Sequence, residues 1–517
     1  MNRPTLYLFL ASLLVAAPVV ATAGATQVAG EASRTSSQAD PRWKLTQFPA
    51  TSATSLGYRE MRLERLVELE RRNAGRHIKA TQIGVGRTLA SEGIARSTPA
   101  LRWIPLKAGG SVARLRVASP DALGMRVGIQ TKGLHPHVEL RFGGSDDPGH
   151  VVAETTAAEA RALADADGVY WTPATDGAAQ IIEIYRPAHV TMAQARVQAP
   201  QASHLLANSR NDFKIVEKVG ESGTCNINAV CRVGQLGPAY VQAKDAVAHM
   251  VFVDGGSSYI CTGTLLNDTT PATQVPYFYS AAHCIETQTV ANTLNTYWGY
   301  ENSGCSTADG QRRNPLTGGA DILFVDADVD ALLLRLKNPA PANATFAGWD
   351  AGTLAPNAEV VAIHHPAGDA KKYSRGQHVT DVYPENYTVG WLEGTTEGGS
   401  SGSGLFTLHA DKTYRLRGGL YGGNASCANT GNVSTAANRD HYSRLDLIFP
   451  QIKQWIAADP VRENGSQALV RSAGAVAQGQ GARTLPATSA PAPATVTPPT
   501  ARDRLPILQR RTGTHER

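Results

Sequence analysis

Three short stretches of the chain carry residue types that could do chemistry together. The first is Tyr279-Ser-Ala-Ala-His283-Cys284, preceded by Cys261-Thr-Gly-Thr-Leu-Leu266. The second is Asp330-Ala-Leu-Leu-Leu-Arg-Leu336, an acid opening an apolar run, and the third is Gly398-Gly-Ser-Ser401-Gly-Ser-Gly404. Each alone has an ordinary explanation: a structural histidine, a turn acid ahead of a strand, a Gly/Ser linker. Together, in the order His-Asp-Ser, they match the needs of nucleophilic catalysis. A serine hydroxyl attacks well only if a neutral imidazole takes its proton. A carboxylate on the other ring nitrogen then fixes the tautomer and stabilises the imidazolium. Attack on a carbonyl leaves charge on its oxygen, and the backbone N–H groups of Gly399 and Ser401 are expected to receive it. Such a donor is worth about 3–4 kcal/mol, and the glycines let the backbone curl to aim it.

The elements that must position these residues can be read from the surrounding text. All six cysteines fall between Cys225 and Cys427, and residues 24–218 contain none, which marks a boundary. The cysteine-bearing region, to about Ala458, shows many short β-like runs between Gly, Asn and Pro turns, the pattern of an all-β barrel or sandwich. At its end Pro450 is expected to open a helix with Ile452, Trp455 and Ile456 on one face. In the cysteine-free part, Tyr58 to Arg72 predicts an amphipathic helix carrying Met61, Leu63, Leu66, Val67 and Leu69. From about Leu101 to Tyr185 the text alternates, as in Ala113-Arg-Leu-Arg-Val117, and predicts an antiparallel β-sandwich.

The two ends have other compositions. Met1-Asn-Arg, an apolar run from Leu6 to Val20 and the small residues Ala21-Thr-Ala23 predict a secretory signal cut after Ala23. The run is too short to span a bilayer comfortably. An exported chain meets an oxidising space in which cysteines pair. Beyond Asp459 the text turns to Ala, Thr, Pro, Gly and Arg, which cannot bury a core and predicts a flexible tail.

With its three motifs, the cysteine-bearing region resembles the chymotrypsin-type serine endopeptidases. His283 stands in an Ala-Ala-His-Cys text, Asp330 in an Asp-x-x-Leu-Leu strand and Ser401 in a Gly-x-Ser-Gly turn. A narrower resemblance covers nearly the whole chain. Cys225-(five residues)-Cys231, Ile363-His-His-Pro-Ala-Gly-Asp-Ala-Lys371, Gly399-Ser-Ser-Gly-Ser403 and Tyr421-Gly-Gly before Cys427 are similar to secreted bacterial lysyl endopeptidases. The resemblance implies an all-β protease of two antiparallel six-stranded β-barrels with a C-terminal helix, preceded by an α+β or β-sandwich-like propeptide. It implies a signal peptide at 1–23, a propeptide at 24–218, the protease domain at 219–458 and a tail at 459–517. It also implies the bridges Cys225–Cys427, Cys231–Cys305 and Cys261–Cys284, where spacing alone leaves the pairing open.

Specificity is the less direct inference. Trypsin-like enzymes hold the basic side chain with an aspartate six residues before the nucleophile, and that position is Thr395 here. The resemblance offers Asp440, in Asn438-Arg-Asp440-His-Tyr-Ser-Arg444, as the acid at the pocket floor. One carboxylate suits a compact ammonium better than a forked guanidinium. Glu393 and Glu397 are rivals by proximity in sequence. The resemblance also implies that Tyr421, Gly422 and Gly423 pair with the substrate strand through their backbone. The implied activity is cleavage after lysine, with arginine or mixed basic preference as the alternative within enzymes, and a catalytically silent binding protein as the alternative outside them.

Several departures and exclusions follow. Ser400 replaces the acid with which trypsin-like zymogens bind a new amino terminus, Gly404 replaces a proline, and Tyr421 stands where the lysyl family often has histidine. His364, His365 and Asp369 read as a structural loop, and no metal or cofactor is expected. Cutting after Lys218 would release Val219 as a new amino terminus, and no lysine follows Lys453. The expected partners are protein and peptide substrates and the chain's own propeptide, for a monomer secreted from a bacterium, with no membrane contact once the signal is removed. The net charge of +5 first invites a nucleic-acid reading. Divided by region, residues 1–218 carry +7, residues 219–458 carry −6 and residues 459–517 carry +4. The basic excess therefore belongs to segments outside the expected enzyme, and no nucleic-acid partner is expected.

Overall fold

The computed structural model describes residues 25–37, 39–74, 80–209, 221–270, 272–310, 315–379 and 383–458. The expected signal with Ala23, the processing position Lys218 and the tail after residue 458 lie outside the described residues.

The cysteine-bearing region is organised around two sets of six strands, with short accessory strands at Ile227–Asn228, Thr345–Phe346 and Gly348–Asp350. The first set is β1 (Val247–Asp254), β2 (Ser257–Leu266), β3 (Tyr277–Ser280), β4 (Asn295–Tyr297), β5 (Ala320–Asp326) and β6 (Ala331–Leu336). They pair antiparallel in the order β4-β1-β2-β3-β6-β5. The β1–β2 hairpin turns through Gly255 and Gly256, both at positive φ (54° and 79°). That is the two-residue geometry whose twist suits paired strands and which glycine adopts without strain.

The second set is β7 (Glu359–His364), β8 (Lys372–Val379), β9 (Asn386–Glu393), β10 (Gly404–Leu408), β11 (Tyr414–Gly423) and β12 (Asp440–Ser443). Its pairings run β7–β8–β9–β12–β11–β10 and return to β7, a closed antiparallel barrel. Closure leaves no edge within the barrel itself.

Strand β6 shows how the two units share their cores. Its Leu332, Leu334 and Leu336 enter the core of the first unit, which also holds Met250, Phe278 and Trp298. Ala331 and Leu333 point the other way, into a cluster with Tyr279, Trp349, Phe406 and Leu416 that joins the two units. A strand buried on both faces reads as a continuous apolar run, and Asp330, just ahead of it, is carried to the junction. The terminal helix, Leu445–Ile456, buries Leu445, Ile448, Ile452 and Ile456 against the same cluster. It starts five residues earlier than Pro450 suggested, and Pro450 lies inside it. The packing of Leu445 and Ile448 outweighs the backbone bond that proline cannot donate.

The amino-terminal region is the expected sandwich, with wider boundaries. One sheet contains Thr54–Gly57, Ser111–Ala118, Glu139–Gly144, Ala153–Thr156 and Ala179–Arg186; the other contains Gly84–Thr88, Gly124–Gln130, Val169–Trp171 and Gln198–Leu205. Between them lie Leu115, Val117, Leu140, Phe142, Ile182 and Ile184 from the first sheet, and Met125, Val127, Ile129 and Ala202 from the second. The helix expected over Tyr58–Arg72 spans Leu63–Ala74. Tyr58 stays extended because its ring is buried in this core and its N–H donates to Ala118 O. Leu66 and Leu69 are the helix positions that are buried, while Leu63 and Val67 remain exposed.

Candidate active site

His283 follows strand β3 in the turn Ala281–Cys284, which closes with Cys284 N–H donating to Ala281 O. Asp330 occupies the turn between β5 and β6 at a φ of 55°. Aspartate tolerates this left-handed conformation better than most side chains. Ser401 lies in the glycine-rich turn between β9 and β10, where Gly399 and Gly402 have φ of 91° and 78°. A side chain at Gly402 would run into Ser280 Oγ and the Thr262 carbonyl, so space and backbone angle both demand glycine there.

These three turns bring the three side chains together. His283 Nε2 lies 2.7 Å from Ser401 Oγ, and His283 Nδ1 lies 2.8 Å from Asp330 Oδ2. Asp330 Oδ1 also accepts the His283 backbone N–H at 2.9 Å, so both carboxylate oxygens fix the histidine. With Nδ1–H donated to the carboxylate, Nε2 is left to accept the serine proton. The ring and the carboxylate are largely buried, and Ser401 is 0% exposed. Among the described residues neither Gly399 N–H nor Ser401 N–H has an acceptor, although their neighbours do: Ser400 N–H donates to Glu397 O and Gly402 N–H to Leu420 O. The serine turn is tied to strand β2 by Thr262, whose N–H donates to Ser401 O and whose hydroxyl donates to Gly399 O.

Asp440 opens strand β12, paired with Val389 on one side and Gly423 on the other. It is fully buried, and its Oδ2 accepts from Trp391 Nε1 and Thr396 Oγ1, each at 2.7 Å. Its Oδ1 occupies space that any side chain at position 423 would need. Tyr421, two residues before Gly423, stands edge-on to the His283 ring at 6.0 Å. Burial, with the Asp330 charge adding to it, holds the Tyr421 hydroxyl above its ordinary pKa and so neutral. The rivals are engaged elsewhere: Glu393 with Arg232 and Arg375, Glu397 with Gly223 N–H and Asn226. Thr395 is buried, and its hydroxyl has no partner among the described residues.

The loop residues His364 and His365 brace the serine turn. His364 Nδ1 lies 2.8 Å from Ser400 Oγ, and its Nε2 lies 3.0 Å from Ser374 Oγ. Ser400 is thus held by an internal histidine at the position where trypsin-like enzymes carry an acid. His365 N–H donates to Thr262 Oγ1, extending the support of Gly399. Its ring stacks on Tyr300 at 5.4 Å, and burial, reinforced by His249 and Lys371, keeps its pKa well below the ordinary histidine value. Gly404 is held more tightly than the sequence suggested: a side chain there would press on Phe406 and Thr264. Trp391 and Thr396 also escaped the sequence reading. Their contacts with Asp440 arise where β9 and the turn after it pack on β12, which no local motif announces.

The structure joins Cys225 to Cys427, Cys231 to Cys305 and Cys261 to Cys284, with Cα separations of 5.4, 4.9 and 6.4 Å. The last bridge ties the His283 turn to β2. As for metals, Cys261 and Cys284 near His283 are spent in that bridge. The other described group converging at ligand distance is His135, His137 and His189, on the amino-terminal sandwich. Among the described residues no helix is long and apolar enough to cross a membrane.

Comparison with known proteins bears on the whole arrangement. Residues 219–443 match the family described as lysyl endopeptidase, C-terminal domain, and residues 57–206 match the lysyl endopeptidase N-terminal domain. The chain is 37% identical over 391 residues to the lysyl endopeptidase of Pseudomonas aeruginosa, an alignment covering 73% of this chain and 81% of that protein. Among solved structures, the Rv3671c protease of M. tuberculosis in its active form matches 48% of this chain and 95% of its own, at 17% identity and a TM-score of 0.29. A scabies mite inactivated protease paralogue matches 42% of this chain and 97% of its own, at 13% identity and a TM-score of 0.30.

Proposed function

The chain belongs to the lysyl endopeptidase family, and from that premise we propose that it is a secreted serine endopeptidase cutting peptide bonds on the carboxyl side of lysine. The observation that carries the mechanism is the continuous bond path from Asp330 through His283 to Ser401. Ser401 Oγ attacks the carbonyl carbon after a substrate lysine as His283 Nε2 takes its proton. Asp330 holds the imidazolium that results. The N–H groups of Gly399 and Ser401 receive the charge that builds on the carbonyl oxygen. His283 then returns the proton to the departing amine, leaving an acyl ester on Ser401 that water hydrolyses by the reverse sequence.

Lysine selection is assigned to Asp440. Its carboxylate is buried and is held by Trp391 and Thr396, so an arriving ammonium meets an acceptor already in position. Tyr421, Gly422 and Gly423 supply the strand edge for the residues before the cut bond. The domain reading places a signal at 1–23, a propeptide at 24–218 removed by cutting after Lys218, the enzyme at 219–458 and a tail from 459. A monomer fits this reading.

The test is to digest a denatured protein mixture with the purified enzyme and identify the new termini by mass spectrometry. Cuts mainly after lysine, absent with Ser401→Ala, are expected. Cuts mainly after glutamate or leucine would remove Asp440 from the pocket, and equal digestion by Ser401→Ala would remove Ser401 from the chemistry.

A further inference from the structure

Two connections of the amino-terminal sandwich meet where the chain crosses between its sheets. One leads from Gly124–Gln130 in the second sheet to Glu139–Gly144 in the first and carries His135-Pro136-His137. The other leads from Ala179–Arg186 in the first sheet to Gln198–Leu205 in the second and carries His189. Both are anchored in the core, where Leu134, Val138 and Val190 are buried between the sheets. Their turns close with Val138 N–H donating to His135 O and Val190 N–H to Pro187 O, each at 3.0 Å. His135 N–H donates to Gln194 O at 2.8 Å, which links the two connections directly. Arg161 donates to the Leu134 carbonyl and Arg186 to the Val190 carbonyl. The backbone that carries the three imidazoles is thus held in place before any ligand arrives.

The three rings converge on one point. His137 Nδ1 lies 3.2 Å from His189 Nε2, and one ring nitrogen from each of the three residues lies within 4.8 Å of the others. The ring centroids stand 5.1, 5.4 and 5.5 Å apart, and the planes cross at 74° or 77°. A tetrahedral zinc ion about 2.0–2.1 Å from each imidazole nitrogen sets those nitrogens about 3.3 Å apart. With each ring centre about 1 Å further out, the centroids fall roughly 5 Å apart. The rings therefore already outline three corners of such a site. His137 and His189 are exposed, which leaves the fourth corner open to water.

We propose that His135, His137 and His189 bind one zinc ion, and that the ion clamps the two connections and stabilises the amino-terminal sandwich. Imidazoles, with no carboxylate or thiolate in this described group, suit a borderline cation such as zinc; magnesium and calcium take oxygen donors. The ion replaces the proton between His137 Nδ1 and His189 Nε2. It also takes the His135 lone pair in place of a long bond, 3.2 Å, from the His137 backbone N–H. Because its ligands come from both crossings, separating the sheets means releasing the ion, and binding free energy becomes folding free energy.

The test uses the full chain carrying Ser401→Ala, so that it stays intact, purified without an added histidine tag and stripped with EDTA. Isothermal titration with zinc chloride should give one ion per chain at a micromolar or tighter Kd, and magnesium chloride should give no heat of binding. At a hundredfold excess over Kd, zinc should raise the Tm by at least about 2 °C. His137→Gln and His189→Gln alter exposed side chains on separate connections. Each should melt with the parent in EDTA and bind zinc at least about tenfold more weakly. Absence of zinc binding, or equal binding of magnesium, overturns the proposal. So does parental zinc affinity in both variants, which would place the ion elsewhere on the chain, and an unchanged Tm at saturating zinc overturns the clamp.

Discussion

Asp440 illustrates how one carboxylate acquires its proposed role from neighbours that carry no charge. Trp391 and Thr396 both donate to Oδ2, which fixes the group's orientation before any substrate arrives. Burial removes the water that would screen it. Replacing Asp440 by asparagine keeps the shape and removes the charge. A charge-assisted contact of this kind contributes about 2–4 kcal/mol, so kcat/KM for a lysine ester should fall by roughly 30- to 1,000-fold. A small ester without a basic side chain does not use Asp440, and its acylation rate should change little. Steady-state kinetics on the two esters read both outcomes. An equal loss on both would mean that Asp440 supports the fold of the site and not its selectivity.

The elements that carry the site are tied by a buried charge cluster. Glu301 follows β4 of the first unit, Lys244 lies in the last turn of the Val233–Asp245 helix, and Lys371 precedes β8 of the closed barrel. Glu301 accepts from Lys244 Nζ at 2.8 Å and from Lys371 Nζ at 3.2 Å, and Lys371 also donates to Lys244 O. Burial works against the Glu301 charge, but Lys371 and Lys244 outweigh it and hold its pKa below the ordinary carboxylate value. Glu301→Gln leaves Lys244 with Asp245 as its remaining carboxylate and removes the carboxylate bonded to Lys371, which should cost about 3–5 kcal/mol at neutral pH. The sign of the pH dependence follows from the lowered pKa. The contribution is complete above the unfolded-state pKa and is lost as pH falls through the lower folded value. The Tm difference between parent and variant should therefore be full at pH 7 and shrink under acid conditions, as differential scanning calorimetry would show.

At this same scale the sequence was informative wherever chemistry and local pattern coincide. His283, Asp330 and Ser401 each sit in a turn whose flanking strand can be read directly, so the constellation is legible in the sequence. The limits of the helices were not. Tyr58 belongs to a distant core and Leu445 to the junction of the two units, and tertiary packing of that kind overrides helical periodicity. The partners of Asp440 were hidden for the same reason. Trp391 meets it across the β9–β12 pairing, nearly fifty residues away in sequence.

At the scale of the whole molecule, the amino-terminal sandwich covers apolar surface of the protease region. Val251, Ile260 and Tyr297 share a cluster with Leu66, Leu69, Ile83 and Val85, and Val253 packs against Val169 and Trp171. If residues 24–218 are released on maturation, as proposed, these side chains pass from a packed interface to water. Val253 is well suited to separating the two states, because Val169 and Trp171 are its only companions in that cluster. Val253→Thr keeps the volume and the strand preference but places a hydroxyl against the indole and the valine. Burying a hydroxyl without a partner costs about 1–3 kcal/mol, so the cut propeptide should hold the enzyme about 5- to 150-fold more weakly. Once the propeptide has gone the hydroxyl faces water, and the activity of the mature enzyme should equal that of the parent. Titrating activity on dilution of the freshly processed mixture reads the first effect, and kinetics after separation read the second. Unchanged retention of the cut propeptide would mean that the sandwich is held by the pairing of Thr81 and Gln82 with β2 and not by this apolar face.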